Sequence, residues 1–97
     1  MEEYEWARLR ADELRKYSRD DTVIILPVAA LEQHGPHLPV MVDSRLVGEV
    51  SKRTASLGRN KGVPIITLPV VWHGLSEHHM PFGGTVTLTS NTFFLVV

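Results

Sequence analysis

Apolar positions along the chain follow two periods, and the change from one to the other divides it into elements. Over residues 4–17, Trp6, Leu9, Leu14 and Tyr17 recur near helical spacing among Arg and Glu, which predicts an amphipathic surface helix. After a polar stretch, residues 22–30 (TVIILPVAA) are β-branched and continuously apolar, as in a strand covered on both faces within a parallel sheet. A loop over residues 31–42 leads to DSRLVGEVSKRTASLGR, residues 43–59. There Leu46, Val47, Val50 and Leu57 form one helical stripe and Asp43 stands as a candidate N-cap. Residues 62–71 (GVPIITLPVV) repeat the character of the first strand, so strand, loop, helix and strand make one crossover unit, expected to be right-handed. A second loop, WHGLSEHHMPFGGT, precedes TVTLT, which alternates like a short half-buried strand. The closing SNTFFLVV predicts a helix capped by Ser90 or Asn91, with an apolar run that needs partners. The fold class is α/β with a mainly parallel sheet, and no linker or low-complexity segment divides residues 1–97, which read as a single domain.

Composition narrows the functions open to such a unit. A chain of 97 residues buries only roughly 60–65% of its unfolded surface, so its stability is modest. With 43% hydrophobic and 22% charged residues it is too apolar for a disordered tail. A net charge of -1 offers no basic field to nucleic acid or to an anionic membrane surface. The absence of cysteine removes disulfides, thiolate nucleophiles and cysteine-type zinc sites together, so any metal must be held by His and carboxylates. The charged N-terminus lacks the apolar core of a signal peptide, and nowhere do eighteen apolar residues run together. These features read as a cytoplasmic protein.

Candidate chemistry concentrates in LEQHGPHLPVMVD, residues 31–43. Glu32 and His34 are two apart and leave an extended backbone on the same face, where both can reach one cation. Gly35-Pro36 supplies a bend that can bring Asp43 beside them. Imidazole with carboxylate suits zinc, manganese or a related divalent ion; a carboxylate such as Asp43 can bridge two, and two ions activate water at neutral pH. The same residues admit a structural account in which Glu32 pairs with His34 while Asp43 merely caps a helix. Position favours the metal, because open α/β sheets place their sites after the carboxyl ends of parallel strands. His37 reads either as a residue orienting a ligand or as surface. His73, His78 and His79 fall within seven residues of the second loop, where a lone histidine is more often a satisfied structural group than a ligand, a reading that their density weakens. Trp72 and Phe82 read as core or pocket wall. Gly83-Gly84-Thr85 lacks the lysine and long helix of a phosphate loop and reads as a tight turn.

LPVAALEQHGPHLPVMVD strongly resembles the signature of the creatininase (creatinine amidohydrolase) family, Leu-Pro-x-x-x-x-Glu-Gln-His-Gly-x-His-Leu-Pro followed by Asp. GLSEHHMPFGGTVTL is similar to the family's second stretch, a His ahead of Phe-Pro-Gly-Thr, with Gly83 in place of the Pro. The resemblance covers residues 22–89 and implies a three-layer α/β/α fold, a binuclear zinc or manganese centre and hydrolysis of non-peptide amide bonds in cyclic or formylated small molecules. It implies that Glu32 binds one ion, His34 the other and Asp43 both, with His37 and His79 in the pocket. It implies a homo-oligomer as well. The family's later Asn-Gly-His stretch, with its further ligands and proton-shuttling groups, is not among these residues, so the sequence reads as the N-terminal part of such an enzyme. The alternative reading is a non-catalytic remnant, or a subunit completed by another chain.

Overall fold

The computed structural model describes residues 3–97, and the chain divides into two compact units. The first comprises Gly48–Pro69 together with the described residues up to Pro27. Its centre is a parallel pair of strands, β1 (Val23–Ile25) and β2 (Ile65–Thr67), in the register Val23↔Ile65, Ile24↔Ile66 and Ile25↔Thr67. The long connection between them contains the main helix, Val42–Asn60, as the crossover pattern predicts. Both strands are short because a proline follows each at two residues' distance, Pro27 and Pro69, and neither can donate to a ladder.

The predicted helix over 4–17 is broken. Thr67 donates its N–H to the Tyr4 carbonyl at 2.9 Å and bridges Glu5, so the chain enters extended, as an added edge to β2. A 3-10 turn at Trp6–Arg8, a short helix α1 (Ala11–Leu14) and a second 3-10 turn at Arg15–Tyr17 follow. Leu9 and Arg10 stay extended between the first two pieces, and the Arg10 N–H is taken by Glu13 Oε1 at 3.0 Å. The backbone of residues 4–5 is committed to the sheet, and that defeats the helical period. Tyr17 is buried, and its hydroxyl accepts from Arg59 Nη2 at 2.5 Å and donates to the Glu3 carbonyl at 3.2 Å.

Burial on both faces holds for β2, where Ile65, Ile66 and Thr67 are all buried, but not for β1, where Val23 is 44% and Ile24 51% exposed. The helix Val42–Asn60, here α2, likewise turns a different face inward from the one its apolar stripe suggests. Leu46, Val50 and Leu57 stand 60–62% exposed, while Ser51 and Ala55 are buried. Size decides this. Near the helix's C-terminal end a Cβ added at Gly58, on the same face as Ser51 and Ala55, would lie 3.0 Å from Ile65 Cγ2, so a larger side chain there would hold the helix end off β2.

The second unit, Val28–Val47 with Val70–Val97, is built from isolated bridges instead of long strands. Val28 pairs with Val71, Leu31 with Val86 and Gly74 with Thr87. The Ala29 N–H donates to Val71 O at 2.8 Å, Val86 N–H to Leu31 O at 3.0 Å and Leu88 N–H to Gly74 O at 2.9 Å. Gly74 is buried where a Cβ would meet the Ala29 carbonyl oxygen at 2.6 Å, so only glycine lets these segments approach. The TVTLT stretch contributes the bridges at Val86 and Thr87. A last helix, α3 (Ser90–Val96), is capped by Thr89, whose Oγ1 accepts from the Thr92 N–H at 3.3 Å; neither Ser90 nor Asn91 is the cap. Among the described residues no helix is long and apolar enough to cross a membrane.

Candidate metal centre

All the residues singled out in the ligand loop lie in the second unit. Leu31 is anchored by its bridge to Val86, and the Gln33 amide donates to Thr85 Oγ1 at 3.0 Å. These two ties fix Glu32 between them. Beyond, His34 pairs with Leu38 across a turn in which Gly35 takes φ 74°, a left-handed conformation that a side chain resists. The predicted bend is therefore present. The turn around Gly83-Gly84 is present too, with Gly84 at φ 86°.

The three expected ligands do not converge on one point. His34 is held by its Nδ1, 3.0 Å from the Glu32 carbonyl oxygen, and presents Nε2 to Asp43 Oδ1 at 3.5 Å. Asp43 lies in the first turn of α2, which already begins at Val42; its carboxylate faces the histidine. The Glu32 carboxylate instead meets the second loop. Its Oε2 lies 3.6 Å from His79 Nε2 and 3.8 Å from His78 Nε2, and the Glu32 side chain is only 15% exposed. Glu32, His78 and His79 offer ligand atoms all within 4.8 Å of one another, and the two rings stand 4.2 Å apart. Both histidines sit on the 3-10 turn Glu77–His79. Gln33 Nε2 lies 2.7 Å from His79 Nδ1.

Elsewhere in the second loop, His73 packs its ring edge-on to Trp72 at 4.7 Å and stays apart from the cluster, with its Nδ1 buried and unpartnered. His37 is exposed, its ring folded over the Gly35 turn. Two contributors lie outside the residues expected at the site. His78 was visible only as part of a histidine-dense loop, and the signal that marks it is its adjacency to His79 on one tight turn. Gln33 carries no ligand chemistry of its own and is found only through the contacts of its amide.

The ring nitrogens of His34 differ in a way that matters for cation binding. A backbone carbonyl can only accept, so a neutral His34 carries its proton on Nδ1 and its lone pair on Nε2. That lone pair faces a carboxylate oxygen at 3.5 Å. Two acceptors opposed at that distance repel unless a proton or a metal ion lies between them, and a metal-binding histidine characteristically gives its other N–H to a carbonyl or carboxylate.

The family described as Creatininase, creatinine amidohydrolase, matches residues 7–97. Mycofactocin precursor peptide peptidase of Mycobacterium tuberculosis (strain ATCC 25618 / H37Rv) is 28% identical over 79 residues, which cover 76% of this chain and 32% of that protein. The protein of the same name from Mycolicibacterium smegmatis is 34% identical over 67 residues, 68% of this chain and 27% of that one. The chain thus spans between about a quarter and a third of the length of the curated relatives it matches. Among solved structures, a mutant creatininase complexed with creatine superposes with a TM-score of 0.79 at 30% identity, over 94% of this chain and 36% of that one. A mutant creatininase of Zn-Zn type gives 0.78 at 30% identity, over 95% and 36%, and a manganese creatininase 0.78 at 29%, over 94% and 36%. The fold is the α/β fold of these hydrolases, and with its family match running through 7–97, the chain belongs to the creatininase family.

Proposed function

We propose that this chain supplies ligands to a divalent-metal centre in a creatininase-type hydrolase that cleaves C–N amide bonds in small cyclic or formylated molecules. Glu32 would serve one ion, His34 a second and Asp43 both, with zinc or manganese as the metal and two ions to a complete site. The observation that carries the reading is the opposition of the His34 Nε2 lone pair and Asp43 Oδ1 at 3.5 Å, with the other ring nitrogen already committed to the Glu32 carbonyl. A divalent ion bound there supplies Lewis acidity and an activated water. The chain's own residues hold and orient: the Leu31–Val86 bridge fixes the Glu32 backbone, whose carbonyl sets the His34 ring, and the first turn of α2 presents Asp43. His79, beside the Glu32 carboxylate, and His37, exposed on the Gly35 turn, belong to the substrate side. A homo-oligomer acting in the cytoplasm completes the proposal.

A second reading keeps the same ligands and changes the substrate. The curated relatives are peptide peptidases by name, which favours a peptide C–N bond over a small cyclic amide.

Calorimetric titration of the chain with Zn²⁺ and Mn²⁺ tests the ligand assignment. A His34→Ala, Asp43→Ala double variant should lose the binding that the unaltered chain shows, and binding of equal strength in both would overturn the assignment. Creatinine, formyl amides and short peptides, offered with metal to the protein carrying this sequence, then sort the substrate class.

A further inference from the structure

We infer that Gln33 fixes His79 as the tautomer protonated on Nε2, so that His79 turns an N–H, and not a metal-binding lone pair, toward the Glu32 carboxylate. Proximity alone suggests otherwise, because Glu32, His78 and His79 gather their ligand atoms within 4.8 Å. Hydrogen-bond polarity separates the two possibilities.

The chain of polarity starts from a backbone amide. The Gly35 N–H, which can only donate, points at Gln33 Oε1 at 2.9 Å. The oxygen of the Gln33 amide is thereby placed, and the other arm of the amide is the NH₂ group, which can only donate. That group lies 2.7 Å from His79 Nδ1. Nδ1 must accept, so a neutral His79 carries its proton on Nε2, the nitrogen that faces Glu32 Oε2 at 3.6 Å. An Nε2 that bears a proton has no lone pair for a cation. The Gly35 amide cannot be re-aimed to release this chain of polarity, because Gly35 sits at φ 74° in the tight turn closed by the His34–Leu38 bridge.

His34 is set the opposite way. Its Nδ1 donates to a carbonyl and its Nε2 is left open toward Asp43. Two histidines, one within the Glu-Gln-His segment and one beside it, thus present opposite polarity, one fit to bind a cation and one fit to donate. Donation to Oε2 would restrain Glu32 to the use of its other oxygen toward an ion. Gln33 is in these terms a positioning residue, acting through His79. The role given to Glu32 rests on the metal-centre reading, whereas the tautomer of His79 does not.

Long-range ¹H–¹⁵N correlation spectra of the metal-free, ¹⁵N-labelled chain at mildly alkaline pH, where imidazole is neutral, read each ring directly. His79 should show a protonated Nε2 and an unprotonated Nδ1, and His34 the reverse; a His79 protonated on Nδ1 overturns the inference without any variant. Gln33→Glu replaces the NH₂ donor by an acceptor and should move the His79 proton to Nδ1. An unchanged His79 pattern in a folded Gln33→Glu chain shows that Gln33 does not set the tautomer. On addition of Zn²⁺, the His34 Nε2 signal should shift while His79 keeps its Nε2 proton. Loss of that proton to zinc refutes the donor role and leaves the metal-centre reading standing. Zinc that perturbs neither ring refutes the metal-centre reading and leaves the tautomer supported by the metal-free spectrum.

Discussion

Asp43→Asn separates a metal ligand from a stabilising ion pair, because the two roles predict losses of different size in the metal-free chain and different responses to zinc. If Asp43 is there to pair with a charged His34, or to cap α2, its loss should cost about 1–2 kcal/mol in the metal-free chain. The geometry points elsewhere. With the His34 proton on Nδ1, the side-chain amide introduced by the substitution can donate to the Nε2 lone pair across the 3.5 Å gap, after a small closure, and replace an acceptor–acceptor contact by a hydrogen bond. A neutral hydrogen bond contributes about 0.5–1.5 kcal/mol net. Against it stands the loss of a negative charge from the first turn of α2, where such a charge is worth about 0.3–1 kcal/mol. The two nearly offset, so metal-free stability at mildly alkaline pH should change by less than about 1 kcal/mol. Metal linkage should change far more. Zinc at a concentration about 100 times its dissociation constant stabilises the unaltered chain by about 2.7 kcal/mol, and an approximately 100-fold loss of affinity in the variant leaves about 0.4 kcal/mol. Urea denaturation with and without zinc measures both quantities on each chain. A variant that loses more than about 1 kcal/mol without metal, or one that keeps the full zinc increment, would refute the reasoning.

Two further substitutions test the scaffold. Gly74→Ala places a Cβ 2.6 Å from the Ala29 carbonyl oxygen, so the segments must separate by several tenths of an ångström, at about 1–3 kcal/mol, with loss of zinc binding in step; denaturation and calorimetry on the same sample check both. Thr89→Ala removes the acceptor of the Thr92 N–H at the start of α3 and should lower stability by about 1 kcal/mol, read by thermal unfolding, while leaving zinc affinity unchanged.

Periodicity specified the elements better than their faces. The stripe Leu46, Val50, Leu57 correctly marks a helix, yet these residues are exposed and Ser51 and Ala55 are buried. An apolar period records which residues share a face; it does not record how close that face comes to a strand, and at Gly58 the approach to Ile65 leaves no room for larger side chains. The entry helix failed for a different reason. Trp6, Leu9, Leu14 and Tyr17 have helical spacing, but the Tyr4 carbonyl is taken by Thr67, a partner so far along the chain that no local pattern contains it. The parallel pairing of β1 and β2 was legible because it depends on two local runs and the length of chain between them.

The site divides along the same line. His34 and Asp43 meet because the segment between them folds on itself through Gly35 and the start of α2, all of it local sequence. The neighbours of the Glu32 carboxylate are set instead by the bridges Leu31–Val86 and Gly74–Thr87, which bring residues 78 and 79 from the second loop. What spacing least revealed is polarity. Glu32 contributes its backbone carbonyl to the His34 ring, and Gln33 contributes its side-chain amide to the His79 ring. Consecutive residues therefore set two imidazoles in opposite senses, the first by an atom every residue possesses and the second by a group that only an amide side chain offers in that place. A ligand motif read as a list of metal-binding residue types passes over the glutamine. Read for donors and acceptors, Glu32, Gln33 and His34 specify which of the neighbouring histidines can take a cation and which can give a hydrogen bond.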